Sequence, residues 1–398
     1  MRCELLDQTK LDVAEKTRSN IFNWRGQFTP QFIEYLIDEF AQSEGLVIDP
    51  FCGSGTVLLE AAAKGLPAVG CEINPAAYAM SKFTCFANKR IEERLALFER
   101  VNDEIHKFAN AFRGLPLFGE SDDYREKCTT FIEFAQWMFA AMKEKNEVLL
   151  ALIVLMRAEA TGGGELLQAI NKASSSIKSD LINLPFAEKK IAARLCDARE
   201  THTAYGGLAD LIITSPPYIN VFNYHQNYRA LLEVLGFDLL KVAESEIGSN
   251  RKNRGNRFRT VIQYALDMEQ SLASFARALE PGRYLIMVVG HESNVRGIPF
   301  SNSAIIRDLA SSLNCFQMEG ERYRVFTNRF GKAIREDILV MSLLRIPPLA
   351  GEARGVAMKH LQDAFRGADG DRRNDISQAL AEVSTINPSP ILTRKGQI

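Results

Sequence analysis

Asp49-Pro50-Phe51-Cys52-Gly53-Ser54-Gly55-Thr56 is the stretch that decides the fold. It follows a short apolar segment at 45–48 and precedes a helical pattern at 57–64. Glycines at a strand-to-helix turn let the backbone approach a ligand, and the start of a helix offers unpaired N–H groups. The loop has neither the Gly-Lys-Ser/Thr of a P-loop nor the G-x-G-x-x-G of a dinucleotide site. It therefore favours adenosine without a pyrophosphate over NAD or ATP, although a turn without a ligand would have the same glycines.

The elements around this loop predict an α/β fold with a doubly wound, Rossmann-like parallel sheet. A second strand at 68–71 ends at Glu72, where an acid commonly holds a ribose diol, and Asn74-Pro75 begins the next helix. Further strands at 210–214, 284–289 and 337–344 alternate with helices, which is typical of a parallel sheet covered on both faces. Upstream, Thr29 and Pro30 predict the start of a helix at 30–42.

The strand and helix pattern also predicts how the chain is divided. Residues 21–90 and 191–346 form one catalytic domain, and residues 91–190 form a largely helical insertion between its two parts. Residues 347–398 are expected to be a charged, weakly helical tail that opens with Pro347-Pro348 and has a loose last ten residues.

Thr214-Ser215-Pro216-Pro217-Tyr218 ends the strand at 210–214. Proline removes a ladder donor and restricts the residue before it, so the strand stops and a rigid turn follows. One small polar group beside an aromatic ring suits a planar, nitrogen-bearing ring as substrate. The alternative is a turn that only terminates the strand.

The charge of the chain limits where it could contact nucleic acid. The 398 residues carry a net charge of −1, so any nucleic-acid contact must come from a local patch. The segment 249–259 has five basic residues and no acid: Arg251, Lys252, Arg254, Arg257 and Arg259. Aromatic residues lie upstream of it at Tyr218, Phe222, Tyr224 and Tyr228. This segment predicts a DNA phosphate contact, with a solvated loop as the alternative.

Cysteine usage predicts a reduced, metal-free protein. The seven cysteines are scattered without a C-x-x-C pair, which argues against zinc and against a disulfide framework. Met1-Arg2-Cys3-Glu4 does not resemble a signal peptide, and the apolar stretch at 148–156 is too short to span a bilayer. A cytoplasmic location is therefore expected.

Several of these stretches resemble motifs of the S-adenosylmethionine-dependent DNA amino-methyltransferases. Asp49–Thr56 is similar to their motif I, Glu72–Pro75 to motif II, and Asp197 with its neighbours to motif III. Ser215–Tyr218 resembles motif IV in the variant typical of cytosine-N4 enzymes, and Arg25–Pro30 resembles motif X.

The resemblance implies S-adenosyl-L-methionine as cofactor and double-stranded DNA with a flipped target base as substrate. It implies catalytic roles for Ser215, Pro216, Pro217 and Tyr218. The implied cofactor contacts are Phe28, Thr29, Asp49, Pro50, Phe51, Gly53, Ser54, Gly55, Thr56, Glu72, Ile73 and Asp197. The expected activity is site-specific methylation of cytosine N4, in a bacterial or phage-borne, nucleoid-associated protein with a possible cognate restriction endonuclease.

The residues leave other functions open. Adenine-N6 methylation in DNA is the close alternative, and base methylation in RNA is a weaker one. A DNA-binding module that keeps the fold without activity is a third. The segments 95–190, 222–262 and 316–335 are candidates for target recognition, and we favour the basic segment together with the helical insertion.

Overall fold

A computed structural model describes residues 2–109, 129–219, 226–249, 253–328, 331–346 and 351–392. Six residues singled out in the sequence predictions lie outside these ranges. They are the aromatic residues Phe222 and Tyr224, the basic residues Arg251 and Lys252, and the Pro347-Pro348 turn.

The core of the described part is a sheet in the order β3-β2-β1-β4-β5-β9-β8. Strands β1 to β5 run parallel, whereas β9 is antiparallel to both β5 and β8. A separate hairpin joins β6 to β7. The strands are β1 (Val47–Asp49), β2 (Ala68–Glu72), β3 (Ile191–Leu195), β4 (Ala209–Thr214), β5 (Leu279–Gly290), β6 (Glu292–Val295), β7 (Ile298–Ser301), β8 (Phe316–Thr327) and β9 (Ala333–Leu343). The predicted α/β sheet is confirmed, with an antiparallel pair added at one edge.

Helices cover the sheet and form a layer beside it. In the described ranges they are α1 (Gln8–Asp12), α2 (Pro30–Phe40), α3 (Thr56–Ala63), α4 (Pro75–Thr84), α5 (Ile91–Ala109), α6 (Thr129–Ala141), α7 (Lys145–Glu159), α8 (Leu166–Asn183), α9 (Arg229–Val234), α10 (Leu239–Ser245), α11 (Arg259–Ala278), α12 (Asn302–Leu313), α13 (Ala353–Arg366) and α14 (Gly370–Ala381). Among these helices, none is long and apolar enough to cross a membrane.

Local sequence explains the central elements. Every residue of β1 and β4 is buried, as expected for parallel strands covered on both faces. Helix α4 starts where the sequence predicts it, because the side chain of Asn74 accepts hydrogen bonds from the N–H groups of Ala76 and Ala77. Thr29 is the cap residue of α2, but its side chain makes no capping hydrogen bond.

The described part of the segment between β2 and β3 consists of helices joined by short connections. Helix α7 is buried over Leu149–Met156 and contacts α4, α5, α6, α8 and α9. Arg94 of α5 is almost fully buried and donates hydrogen bonds to the carbonyls of Phe86, Leu181, Leu184 and Pro185. These bonds fix the helical layer to the chain on either side of it.

The C-terminal segment is not a loose tail. Helix α13 packs against α11, and α14 packs against α13. Beyond them, the Ser389 N–H and Oγ each donate to a carboxylate oxygen of Asp267 over 2.7 Å. The prediction of a loose last ten residues is therefore wrong for 389–392, because a buried carboxylate on α11 holds them. Residues 393–398 lie outside the described ranges.

Cys71 and Cys196 form a disulfide, which corrects the prediction that the thiols are reduced. Cys71 lies in β2, and Cys196 directly follows β3, its parallel neighbour. Their Cα atoms are 5.4 Å apart, although 125 residues separate them in sequence. Pairing of two strands with an insertion between them creates this contact, so the spacing of the cysteines gave no sign of it.

Candidate active site

A cleft opens where the strand order reverses between β1 and β4. Ligands of open α/β sheets bind at such a switch point, outside the carboxyl ends of the strands. Six segments of the described chain line the cleft: Trp24–Phe28, the loop after β1, the end of β2, the residues directly after β3, the turn after β4, and Ser245–Ile247. Sequence-predicted residues among the lining are Phe28, Asp49, Pro50, Phe51, Gly53, Ser54, Thr56, Glu72, Ile73, Asp197, Ser215, Pro216, Pro217 and Tyr218.

The loop after β1 needs both of its glycines. Gly53 and Gly55 have φ values of 50° and 90°, a region that side chains other than glycine rarely adopt. A Cβ atom on Gly55 would also lie 2.9 Å from the Cα of Ser81, so glycine allows α3 and α4 to approach closely. Gly55 therefore shapes the loop from beneath and does not line the cleft.

Glu72 at the end of β2 fixes the loop to the next segment. Its Oε2 accepts a hydrogen bond from the Gly53 N–H over 2.9 Å, and its Oε1 accepts one from the Asn74 N–H over 2.8 Å. Burial raises the pKa of Glu72 to about 7, against the lowering effect of these hydrogen bonds. Because each carboxylate oxygen has two lone pairs, both can still accept from a ligand.

Asp49 at the end of β1 connects the loop to β4. Its Oδ1 accepts hydrogen bonds from the Thr214 Oγ1 over 2.7 Å and from the Phe51 N–H over 3.1 Å. The residue is only 2% exposed, and burial raises the pKa of its carboxyl to about 7. The cleft thus contains two acids whose ionisation is costly in the folded protein, which is typical of functional sites.

The turn after β4 forms the opposite wall. The ring of Tyr218 lies directly over Gly290, since a Cβ atom there would be 2.7 Å from its Cε2. The Tyr218 hydroxyl donates to Glu336 Oε1 over 3.3 Å and lies 3.5 Å from the Ser215 Oγ. Ser215 and Tyr218 therefore come together at one end of the cleft, as the sequence predicts.

The segment before α2 closes the cleft on its other side. The Ser54 Oγ donates to the Gln27 Oε1 over 2.8 Å, which links this segment to the loop after β1. Phe28 is buried and packs against Phe32 with ring centroids 5.8 Å apart. Thr29, predicted as a cofactor contact, is the cap residue of α2 and is not among the residues that line the cleft.

Asp197 lines the cleft, and its carboxylate accepts hydrogen bonds from Arg199. Arg199 donates to Asp197 Oδ1 through Nε over 2.8 Å and to Oδ2 through Nη2 over 2.6 Å. The same guanidinium donates to Asp267 and to the carbonyls of Ser389 and Pro390. This carboxylate therefore anchors the wall of the cleft and the C-terminal segment, and the cofactor contact expected at Asp197 stays a prediction.

The basic segment divides into paired and exposed residues. Arg254 and Arg257 are exposed. Arg259 is the first residue of α11, and its Nη2 donates to the Glu382 Oε1 over 2.9 Å. An acid that follows α14 thus balances the charge of Arg259, and the DNA contact expected at this residue stays a prediction.

The sequence predictions missed two parts of the lining. Trp24 lies against the loop after β1, with its Cδ1 3.4 Å from the position of a Cβ on Gly53. Ser245, Glu246 and Ile247 line the cleft from the end of α10 onward. Glu246 is buried, and its charge contributes to the raised pKa of Glu72. No motif marks these residues, although they lie just before the basic segment.

The donor set of the cleft fits a nucleoside that carries a cationic sulfur and an amino-acid group. The half-buried carboxylate of Glu72 and the buried one of Asp49 suit a ribose diol and a positive ligand. Phe28, Phe51 and Ile73 supply apolar walls. S-adenosylmethionine has these features. The described residues contain no cluster of three or more His, Cys, Asp or Glu side chains that could hold a metal ion.

Known proteins resemble parts of this chain. Residues 6–83 match the model of a family described as DNA methylase. The chain is 34% identical over 67 residues to the Type II methyltransferase M.MjaII of Methanocaldococcus jannaschii, covering 16% of this chain and 13% of that protein. It is 25% identical over 287 residues to the Type II methyltransferase M.BsoBI of Geobacillus stearothermophilus, covering 58% and 55%.

The chain thus spans about an eighth of the first of these relatives and about half of the second. Among solved structures, TrmN from Thermus thermophilus superposes with a TM-score of 0.34 at 12% identity, covering 80% of this chain and 50% of that one. The sequence matches support a DNA N4/N6 methyltransferase family and, with it, S-adenosylmethionine as the cofactor.

Proposed function

We propose that this chain, whose matches support the DNA N4/N6 methyltransferase family, transfers a methyl group from S-adenosylmethionine to an exocyclic amino group of DNA. The observation that carries the proposal is one cleft. The glycine loop after β1, the Glu72 carboxylate and the Ser215–Tyr218 turn line it together. The glycine loop with Glu72 could be purely structural, and so could the Ser215–Tyr218 turn. A site for an adenosyl ligand that faces a site for a planar ring, however, suits transfer of a methyl group from one ligand to the other.

The cofactor side consists of Glu72, Asp49, Phe28 and the loop after β1. Glu72 would accept hydrogen bonds from the ribose hydroxyls, since a carboxylate suits a diol. Asp49 and the apolar residues would hold the methionine part and exclude water. When bound, S-adenosylmethionine supplies an activated methyl group on a cationic sulfur, so no metal is required.

The base side consists of the turn after β4. An exocyclic amino nitrogen shares its lone pair with the ring and is a poor nucleophile. The Ser215 Oγ and the Pro216 carbonyl would accept hydrogen bonds from the amino group, which favours a pyramidal nitrogen. Positioning of this kind supplies most of the rate in such reactions.

The Tyr218 ring would stack on the target base after it leaves the duplex. Extrusion of a base costs a few kcal/mol, and one aromatic stack contributes roughly 1–3 kcal/mol, so this single ring can offset much of the cost. Cytosine N4 is our preferred target because Ser215 is the residue typical of the cytosine-N4 form of this turn. Adenine N6 remains the alternative.

The exposed residues Arg254 and Arg257 are the proposed phosphate contacts, together with Arg251 and Lys252. We propose that target recognition lies in this basic segment and in the insertion at 91–190. The proposed setting is a restriction-modification system with a cognate endonuclease.

The test is an incubation of the protein with unmethylated plasmid DNA and methyl-labelled S-adenosylmethionine, followed by digestion to nucleosides. We expect the label in N4-methylcytosine. Label in N6-methyladenine would overturn the choice of base, and no label in DNA would overturn the proposed reaction.

Two variants connect the product to the cleft. Tyr218→Ala should lower turnover roughly 5- to 150-fold, since a stack worth about 1–3 kcal/mol is lost, while cofactor binding measured by calorimetry stays near that of wild type. Tyr323→Ala, at an exposed tyrosine on β8, is the matched control and should leave turnover unchanged. Equal loss of turnover and cofactor binding in Tyr218→Ala would assign that residue to the fold.

A further inference from the structure

We propose that Glu336, held by Arg324, positions the Tyr218 ring for the target base and links the two sides of the cleft. Glu336 and Arg324 belong to no motif that was recognised in the sequence. Both come from the antiparallel pair β8 and β9 at the edge of the sheet. The inference rests on the proposed function, because it assigns Tyr218 the role of stacking on a flipped base.

Three contacts fix the Tyr218 side chain. Its ring lies against the bare backbone of Gly290, and its hydroxyl donates to Glu336 Oε1 over 3.3 Å. The Ser215 Oγ lies 3.5 Å from the same hydroxyl. A tyrosine that only filled space would need the first contact alone, whereas the hydroxyl contacts set how far the ring reaches into the cleft.

Glu336 is itself held in place. Its other oxygen, Oε2, accepts from Arg324 Nε over 2.8 Å and lies 2.6 Å from Arg324 Nη2. The Arg324 side chain is only 5% exposed and the Glu336 side chain 12% exposed, so the pair is largely withdrawn from water. A buried pair of this kind seldom adds stability over apolar residues of the same size, but it fixes geometry.

Arg324 also reaches the cofactor side. Its guanidinium carbon lies 4.1 Å from the ring centroid of Phe32 and 5.9 Å from that of Phe28, which lines the cleft. Phe326 of the same strand lies 5.0 Å from it. One guanidinium is thus in contact with the aromatic wall of the cofactor side and with the carboxylate that orients the aromatic ring of the base side.

The experiment is a double-mutant cycle on Tyr218 and Glu336, using labelled S-adenosylmethionine and unmethylated plasmid DNA. Tyr218→Phe keeps the ring and its packing on Gly290 but removes the hydroxyl donor. We expect kcat to fall about tenfold, the lower end of what a hydrogen bond to a charged group contributes, with the cofactor Kd unchanged. Glu336→Ala should lower kcat by a similar factor in the wild-type background.

The cycle separates positioning from general stabilisation. If Glu336 acts through the Tyr218 hydroxyl, Glu336→Ala should change kcat less than about twofold in the Tyr218→Phe background, since coupled residues are not additive. Effects that multiply would overturn the inference. Glu336→Gln keeps an acceptor for the hydroxyl and should restore kcat to within about threefold of wild type.

Folding and the underlying function are checked separately. Removal of the Glu336 carboxylate leaves Arg324 unpaired, so urea unfolding of each variant is measured first. If Glu336→Ala does not fold, Tyr218→Phe with and without Glu336→Gln still decides the question, and a kcat of Tyr218→Phe within twofold of wild type would overturn the inference. A wild-type protein that methylates no DNA would instead overturn the proposed function.

Discussion

Replacement of Asp49 by asparagine should make the protein more stable and less able to bind its cofactor. The carboxylate is almost fully buried, and burial raises its pKa from 3.8 to about 7. An asparagine Oδ1 can still accept the hydrogen bonds from Thr214 Oγ1 and the Phe51 N–H. The substitution therefore removes a buried charge and keeps the observed contacts.

The magnitude follows from the pKa. Each pKa unit corresponds to about 1.36 kcal/mol, so above pH 7 the ionised carboxylate costs the folded state up to about 4 kcal/mol. Because the folded pKa lies above the unfolded one, this cost grows as the pH rises from about 4 to 7 and is constant above that. The buried amide has its own desolvation cost, so the expected gain in the free energy of unfolding is about 1–3 kcal/mol at pH 8.5. At pH 5 most of this ionisation cost is absent, so the gain should be smaller by roughly 2.5 kcal/mol than at pH 8.5.

The assay is urea unfolding of the cofactor-free protein at pH 8.5 and pH 5, with calorimetry of S-adenosylmethionine binding beside it. Asp103→Asn, at an exposed aspartate of α5, is the matched control and should shift stability by less than about 0.5 kcal/mol at either pH. We expect Asp49→Asn to weaken cofactor binding at least ~10-fold, since it loses an interaction with a charged group. A variant equally destabilised at both pH values would refute the reasoning, because its carboxylate would then stabilise the fold.

Three further substitutions test other parts of the cleft. Glu72→Gln should weaken S-adenosylmethionine binding about tenfold, since one charged acceptor is lost, and unchanged affinity in calorimetry would remove this residue from the cofactor site. Gly290→Ala places a Cβ 2.7 Å from the ring of Tyr218. The value of kcat should therefore fall more than ~10-fold, with little change in cofactor affinity. Normal turnover would mean that the ring can move freely. The double variant Arg254→Gln/Arg257→Gln should lower the salt slope of DNA binding by up to about 1.8. Arg259→Gln, at a residue paired with an acid, should leave the slope unchanged. The reverse result would assign the phosphate contact to Arg259 instead.

The sequence alone was sufficient to predict those parts of the site that depend only on neighbouring residues. Gly53 and Gly55 sit in a strand-to-helix turn that few other residues could form, and Glu72 ends the next strand in the expected place. The turn at Ser215–Tyr218 is defined by its own prolines. Each of these features depends on residues within one element and the loop after it, so a single sequence contains the information.

The sequence alone did not predict contacts between segments that lie far apart along the chain. Arg259 pairs with Glu382, which directly follows α14 and lies far from Arg259 in the sequence. The guanidinium of Arg199 also connects Asp197 to the distant Asp267. Cys71 and Cys196 are neighbours only because β2 and β3 pair around a long helical segment. Charge and spacing along one chain do not reveal these partners, since each depends on the packing of the whole sheet.

The central claim is that the loop after β1, Glu72 and the Ser215–Tyr218 turn form one site for two ligands. A crystal structure of the protein with S-adenosylhomocysteine and a DNA duplex tests it most directly. We expect the ribose hydroxyls within hydrogen-bond distance of the Glu72 carboxylate, and a cytosine turned out of the duplex against the Tyr218 ring. An adenosyl group bound away from Glu72, or a duplex that leaves the Tyr218 ring uncovered, would contradict the account.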